Sequence, residues 1–401
     1  MRHVATTSLA WALAAAFALG ADRVETLDAR QIDGEVLSIT ADQVVVKTSQ
    51  GKQSLSRNEV AEISLADAPE LMERRNQGVL VTHGGDRIAF GTLLLEEGKF
   101  SFDTAMLGGC QLEIGAVGLV YQPNARLSAA QIEEKCKELR IATSTQDTLV
   151  VAQKDGAWLG VEGVLKTVDP QAGKIGFRWK DEDKKLASNL VVAIRMAAIA
   201  GKQPERSGVL VGKCGTTIGF SSLTMDDKSL AVSVAGLGER KVPRDAVAAI
   251  RLKSTNSVNL TDLTPAGVKE HGFFQTETPF PYRANRSISG QELRLGGRTY
   301  RTGLGLHSFC ELTYRIDGAY STFVATVGID DAARPGGNAV LTVLADGKNL
   351  GEPLRLTGKS DPAAVRADVK GVKQLTLRVD FGEGGLGVSD HVDIVAARLI
   401  K

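Results

Sequence analysis

"LRLGGRTYRTGLGLHSFCELTYRIDGAYSTFVATVGIDD" (residues 293–331) decides how the last part of this chain folds. Gly303 and Gly305 lead into His307, and an alternating run follows until it breaks at Asp317-Gly318. Alternation with period two marks a strand with one buried face, and Asp-Gly is a turn dipeptide. A histidine where a glycine-loosened loop enters a strand admits four readings. It is a catalytic base, a metal ligand, a sugar contact or a core histidine with a satisfied ring.

Strand signals continue on both sides. Downstream, "ADGKN" reads as a hairpin turn centred on Asp346-Gly347, and "AAVRADV" and "QLTLRVDF" alternate again. Upstream, residues 24–255 contain an internal repeat, clearest in the unit endings "VAEISL", "VGLVYQ", "VVAIRM" and "VAAIRL". Each unit reads as short antiparallel strands joined by polar tips, a size that suits a small, bent barrel of the Sm-like or SH3-like class. The units fall at about 24–65, 77–123, 147–198 and 208–254. "GVLVTHGGDRIAFG", "DTLVVAQKDGAWLGVEG" and "GVLVGKCGTTIGFSS" supply opening hairpins for the last three, and the first unit reads as lacking one. Two helical inserts are expected, near 66–78 and over 127–140. The repeat ends at Leu252, a polar joint follows, and the last domain runs over 258–401.

The bulk numbers narrow the function. Lys and Arg number 48 against 47 Asp and Glu, so the charge balance gives no reason to expect nucleic acid. Aromatic content of 5% argues against an extended glycan cleft lined with stacked rings. The opening "MRHVATTSLAWALAAAFALGADRVE" has a short basic start, an apolar core from about Leu9 to Leu19 and small residues at Ala18, Gly20 and Ala21. It reads as a signal peptide over 1–21, which places the mature protein in the periplasm or outside the cell with no membrane span. Cys110, Cys136, Cys214 and Cys310 have no C-x-x-C spacing, so zinc and redox motifs are unsupported. Export permits disulfides, with Cys110 and Cys136 the nearest pair in sequence and buried free thiols the alternative.

Several catalytic readings fail. The chain has no G-x-S-x-G and no H-E-x-x-H. "GEGGLG" (382–387) satisfies a dinucleotide fingerprint but runs into a strand, not a helix, so it reads as a loop. Asp330 and Asp331 are adjacent, and neighbouring strand residues face opposite sides, which makes them poor glycosidase partners. The remaining candidates lie in the same part of the chain: His271, His307, His391 and the acids of "SDHVDI", Asp390 and Asp393.

These blocks carry a resemblance. "LTDLTP", the stretch 293–331, "VLADGK", "GVKQLTLRVDFGEGG" and "SDHVDIVAARL" follow in the order and spacing of the NPCBM family, a carbohydrate-binding module often attached to bacterial glycoside hydrolases such as those of family ninety-eight. The resemblance covers 258–401. Matching positions are Gly297, Gly303, Gly305, His307, Gly328, Asp330, Asp331, Asp346, Gly347, Asp390, His391 and Asp393. Ile394 stands where the family commonly has Trp. The resemblance implies a galactose-binding-like β-sandwich (jelly roll) whose loops at one end hold the ligand, with calcium often pinning a loop nearby.

The expected fold is therefore all-β, a repeat region followed by a sandwich. The expected function is non-catalytic recognition of a glycan, galactose-type among the options. Carbohydrate-contact candidates are His307, Tyr282, Tyr300, Asp390, His391 and Asp393, with Phe273 and Phe274 as further ring platforms. Asp330 and Asp393 are the candidates for structural calcium. Two alternatives stand beside this reading: an interaction protein whose sandwich no longer binds sugar and whose repeats dock a protein, and, more weakly, a degenerate glycoside hydrolase.

Overall fold

In the computed structural model the described residues are 21–66, 78–122, 132–133, 135–136, 145–153, 157–197, 204–274, 280–383 and 386–401. The expected signal peptide and the insert near 66–78 lie almost wholly outside them. Of the second insert, Ile132, Glu133, Lys135 and Cys136 are described and helical. The chain is all-β, with antiparallel pairing throughout.

Four units build the first part, and each is a meander whose first strand pairs with both the second and the last. In unit 1, Asp22–Thr26 pairs with Gln31–Ile39 and with Val60–Ser64. Unit 1 thus has the opening hairpin that the sequence reading denied it. The reading missed it because "DRVET" is short and charged, and half-buried strands of that kind look like loop. In unit 4, Gly208–Gly212 pairs in the same way with Thr217–Phe220 and Val247–Leu252. A single 3₁₀ turn precedes the last strand of every unit, at Arg57–Glu59, Ile114–Ala116, Ser188–Leu190 and Arg244–Ala246. One apolar core runs through all four units, including Val24, Phe100, Phe177 and Phe220.

The units are of two kinds. In units 1 and 3 the first strand opens on an aspartate, buried at Asp22 and half-buried at Asp147. Asp22 accepts the amides of Val36 (2.7 Å) and Ala66 (2.8 Å), and Asp147 those of Leu165 (2.8 Å) and Ala197 (3.0 Å). In units 2 and 4 that position is Gly78 or Gly208, where a Cβ would strike the ring of Phe90 or Phe220 within 2.4 Å. Unlike units pair: the last strand of unit 1 with that of unit 4 (Ile63 opposite Ile250), and that of unit 2 with unit 3 (Val120 opposite Ile194). Units 2 and 4 then meet edge to edge, Arg87 opposite Thr217. The spatial order is therefore 1–4–2–3, not the order along the chain.

The last part is a sandwich of two six-stranded sheets. The first contains Gly303–His307, His391–Ile400, Thr322–Ile329 and Ala363–Asp368, and the second Gly267–Glu270, Cys310–Arg315, Gln374–Phe381 and Asn338–Ala345. Leu304, Leu306, Leu312, Tyr314, Val392 and Ile394 fill the space between them. Val392 and Ile394 face inward, so His391, Asp393 and Val395 face outward. A hairpin, Leu293–Leu295 with Arg298–Tyr300, covers Val395 on that outer face.

Unit 1 holds the sandwich through buried charge. Arg398, 4% exposed, donates to Glu25, to the Thr26 carbonyl (3.2 Å) and to Asn259 (3.3 Å), and Arg298 donates to Gln31. All four cysteines are free thiols. Cys110 lies in the repeat core, whereas Cys136 packs in a separate cluster with Tyr121 and Ile132, so the nearest pair in sequence is not a pair in space.

Candidate functional site

At one end of the sandwich three histidines and five phenylalanines converge. His307 ends the strand Gly303–His307, and His391 opens the strand directly opposite it. Their ring centroids are 5.7 Å apart. Phe280 stacks on His307 at 4.9 Å and 24° and lies 6.2 Å from His391. Beside them His271 stacks on Phe309 at 4.4 Å, and Phe273 meets Phe381 edge-on at 5.4 Å and Phe274 at 5.2 Å. Phe273, Phe274 and Phe280 are 45%, 79% and 41% exposed, which is unusual for rings that could have joined a core.

The imidazoles are oriented by the backbone. Nδ1 of His307 lies 2.7 Å from the Ser308 carbonyl, and Nδ1 of His271 lies 2.9 Å from that of Gly272. A carbonyl only accepts, so Nδ1 is the donor in both rings, and in the neutral tautomer Nε2 is the acceptor. Of the four readings of His307, the contact seen at Nδ1 is a backbone one, to a carbonyl rather than a carboxylate. Burial first, and His307 second, hold the pKa of His391 below the ordinary histidine value.

Asp390 supports this end from beneath. It is 2% exposed, and its two oxygens accept the Ser308 hydroxyl (2.6 Å) and the Asn338 amide (2.7 Å). Asn338 passes the link on to the Glu383 carbonyl (2.7 Å). Three loops are thereby tied together under the histidines. Gly387, at φ +70°, presses against Phe381, Ser308 and His307; a Cβ there would lie 3.0 Å from the Phe381 ring.

The other candidates are placed elsewhere. Asp390 sits just before the strand and not on it, so it does not share a strand face with Asp393. Asp393 is fully buried under the hairpin and accepts the Arg294 amide at 3.1 Å. A group so enclosed cannot touch a ligand, and neither can Asp390. Tyr300 packs on Leu293, Leu295 and Val395, and Tyr282 packs on the sandwich core. Both rings are half-buried, and neither is among the ring contacts of the histidine cluster. Ile394 is a core residue between the sheets, apart from the exposed rings.

Asp330 and Asp331 end the strand Thr322–Ile329. Asp330 caps the following turn by accepting Ala332 N (2.7 Å), and Asp331 accepts the amides of Gly296 (2.9 Å) and Gly297 (2.7 Å). Asp330 Oδ2 and Asp393 Oδ1 are buried with no hydrogen-bond partner. Burial, then the nearby Asp330, push the pKa of Asp393 up to about 9. Calcium takes about 6–8 oxygens. Among the described residues no three acidic, histidine or cysteine side chains gather as a metal centre, so side chains of these kinds alone would give a calcium ion too few oxygens here.

The sequence reading missed Phe280, Phe309, Phe381 and the nearness of His271. The density of rings in "HGFFQTETPFPY" (271–282) was the available signal.

The matched sequence blocks now sit on a sandwich of the expected shape, and residues 256–400 match the family described as NPCBM/NEW2 domain. Residues 256–400 are an NPCBM/NEW2 domain. A Renibacterium salmoninarum protein named "Putative endo-alpha-N-acetylgalactosaminidase" is 28% identical over 152 residues, which is 38% of this chain and 10% of that protein. The chain therefore spans about a tenth of the length of that curated relative. Among solved structures, a CBM51 module from Clostridium perfringens GH95 in complex with methyl-galactose is 24% identical, covering 36% of this chain and 99% of its own, with a TM-score of 0.32. A CBM51-2 and INT domain structure from Clostridium perfringens ZmpB, in complex with GlcNAc, is 20% identical, covering 58% and 45%, with a TM-score of 0.33. Among the described residues no helix of this chain is long and apolar enough to cross a membrane.

Proposed function

We propose that the NPCBM domain binds a neutral saccharide at the end where Phe280, His307 and His391 meet, and that the protein is an exported, non-catalytic glycan-recognition protein. One observation carries this reading: the half-exposed Phe280 ring stacks on His307, whose Nδ1 is taken up by the backbone, and lies beside His391. A sugar ring presents an apolar CH face and a rim of hydroxyls, which this pairing matches. The buried state of Asp390 and Asp393 supports the non-catalytic half, because no carboxyl group of the family pattern stands at the open end to act as acid or base. The signal-peptide reading of 1–21 supports export. Galactose-type sugars are the first to try, given the methyl-galactose complex of the related module.

The test is calorimetric titration of the whole protein with galactose, N-acetylgalactosamine and N-acetylglucosamine glycosides. Phe280→Ala should weaken binding about tenfold, as expected for one lost ring contact worth about 1.4 kcal/mol, and should leave the melting temperature in place because the ring is half-exposed. Binding that survives both Phe280→Ala and His307→Ala would place the ligand elsewhere. Hydrolysis of these glycosides by the purified protein would sink the non-catalytic reading.

A further inference from the structure

We propose that the strand edge at 158–163 is a self-association surface, and that its occupant is the same edge of a second copy of this chain, paired antiparallel about Gly160. The argument rests on the pseudo-symmetry of the four units. Gly163, Gly34, Phe90 and Phe220 are equivalent, since each pairs with the residue that opens the first strand of its unit: Asp147, Asp22, Gly78 and Gly208. Three residues earlier stand Gly160, Gln31, Arg87 and Thr217, the centre of each unit's outer edge.

Three of these four centres are engaged. Arg87 of unit 2 lies opposite Thr217 of unit 4, equivalent against equivalent, which is a two-fold contact within one chain. The flanking bonds are reciprocal too. Gly219 N donates to Asp86 (2.7 Å), and Ala89 N donates to Thr216 (3.0 Å), the same pair of positions exchanged. Gln31 of unit 1 is met by Arg298 of the NPCBM domain. Gly160 of unit 3, at the far end of the 1–4–2–3 row, has no partner strand on its outer side among the described residues.

That free edge has the character of a contact surface. Leu159 stands where Asp86 and Thr216 make their polar bonds, and it is 49% exposed. The edge, "WLGVEG", carries one charge, Glu162, and lacks the lysine or proline that usually blunts an exposed strand. Pairing centred on Gly160 sets Leu159 of each copy against Val161 of the other, two identical apolar cross-strand contacts. The occupant is a second copy because the chain already makes this contact with itself, at Arg87 and Thr217. A closed two-fold dimer results, in which the outer-edge centre of all four units is engaged.

Sedimentation of the full chain over a micromolar range should show a reversible monomer–dimer equilibrium. Leu159→Lys should weaken it by at least about tenfold, since both symmetric contacts are lost, with an unchanged circular dichroism spectrum. Under mild oxidation Gly160→Cys should form a covalent dimer, because directly opposed antiparallel residues lie within disulfide reach. Glu162→Cys, two residues off the axis and opposite Trp158 of the partner, should cross-link no more than the wild type. A protein monomeric throughout that range, a dimer indifferent to Leu159→Lys, or equal cross-linking at 160 and 162 would each overturn the proposal.

Discussion

Removing the carboxylate of Asp390 gives the sharpest test of how the candidate site is held. Two donors end on it, the Ser308 hydroxyl at 2.6 Å and the Asn338 amide at 2.7 Å, both where the residue is 2% exposed. Asp390→Ala leaves both without an acceptor and leaves no room for bulk water to replace it. Each buried orphan costs about 1–3 kcal/mol. The hydroxyl can rotate toward another acceptor and the fixed amide cannot, so the total falls at about 2–5 kcal/mol. Asp390→Asn keeps one acceptor oxygen but turns an NH₂ toward the second donor, and should cost about half as much. Urea unfolding followed by the NPCBM domain's own signal measures both. The sugar titration should weaken in the same order, because His307 is seated beside Ser308. A loss below about 1 kcal/mol for Asp390→Ala would refute the bracing role, given two buried bonds. Normal stability with abolished binding would make Asp390 a ligand contact, against its burial.

Two further outcomes follow from buried charge. Asp393 has a folded pKa raised to about 9, against an ordinary carboxylate value of 3.8, so the folded protein binds its proton more tightly than the unfolded chain does. The stability it confers is complete below the unfolded value and is lost as pH rises toward 9. Asp393→Asn should therefore be more stable than wild type at pH 8, with a gap that closes toward pH 4, as read by melting temperatures across the range. A chelator that lowers the wild-type melting temperature, together with destabilisation by Asp393→Asn, would instead favour bound calcium. Arg398→Met should cost about 3–5 kcal/mol, because it leaves Glu25 of unit 1 without its partner, and should separate unfolding of the repeats from that of the NPCBM domain in calorimetry. A single unshifted transition would show that the buried contact does not couple them.

The sequence by itself determined the all-β class and the four-fold repeat, because these rest on alternation within short segments; the sandwich followed from the resemblance of the last blocks to the NPCBM family. Period-two patterns such as "CELTYRI" state locally which face of a strand is buried, wherever the strand ends up. His307 and His391 were legible too, standing out as polar rings in otherwise apolar strands. Only the tertiary structure decided what lies beside them. Phe280 and His307 are 27 residues apart in sequence and stacked in space, and a loop's approach to a strand end leaves no periodic trace. Burial separated Asp390 and Asp393 from His391, although the three are nearly adjacent in the chain: Asp393 shares the outer face of the strand with His391 but a distant hairpin covers it, and Asp390 lies before the strand, enclosed by Ser308 and Asn338. The order 1–4–2–3 was likewise invisible, because every unit has the same local pattern. Which edges meet is seen only in the pairings between distant units, Ile63 with Ile250, Val120 with Ile194 and Arg87 with Thr217.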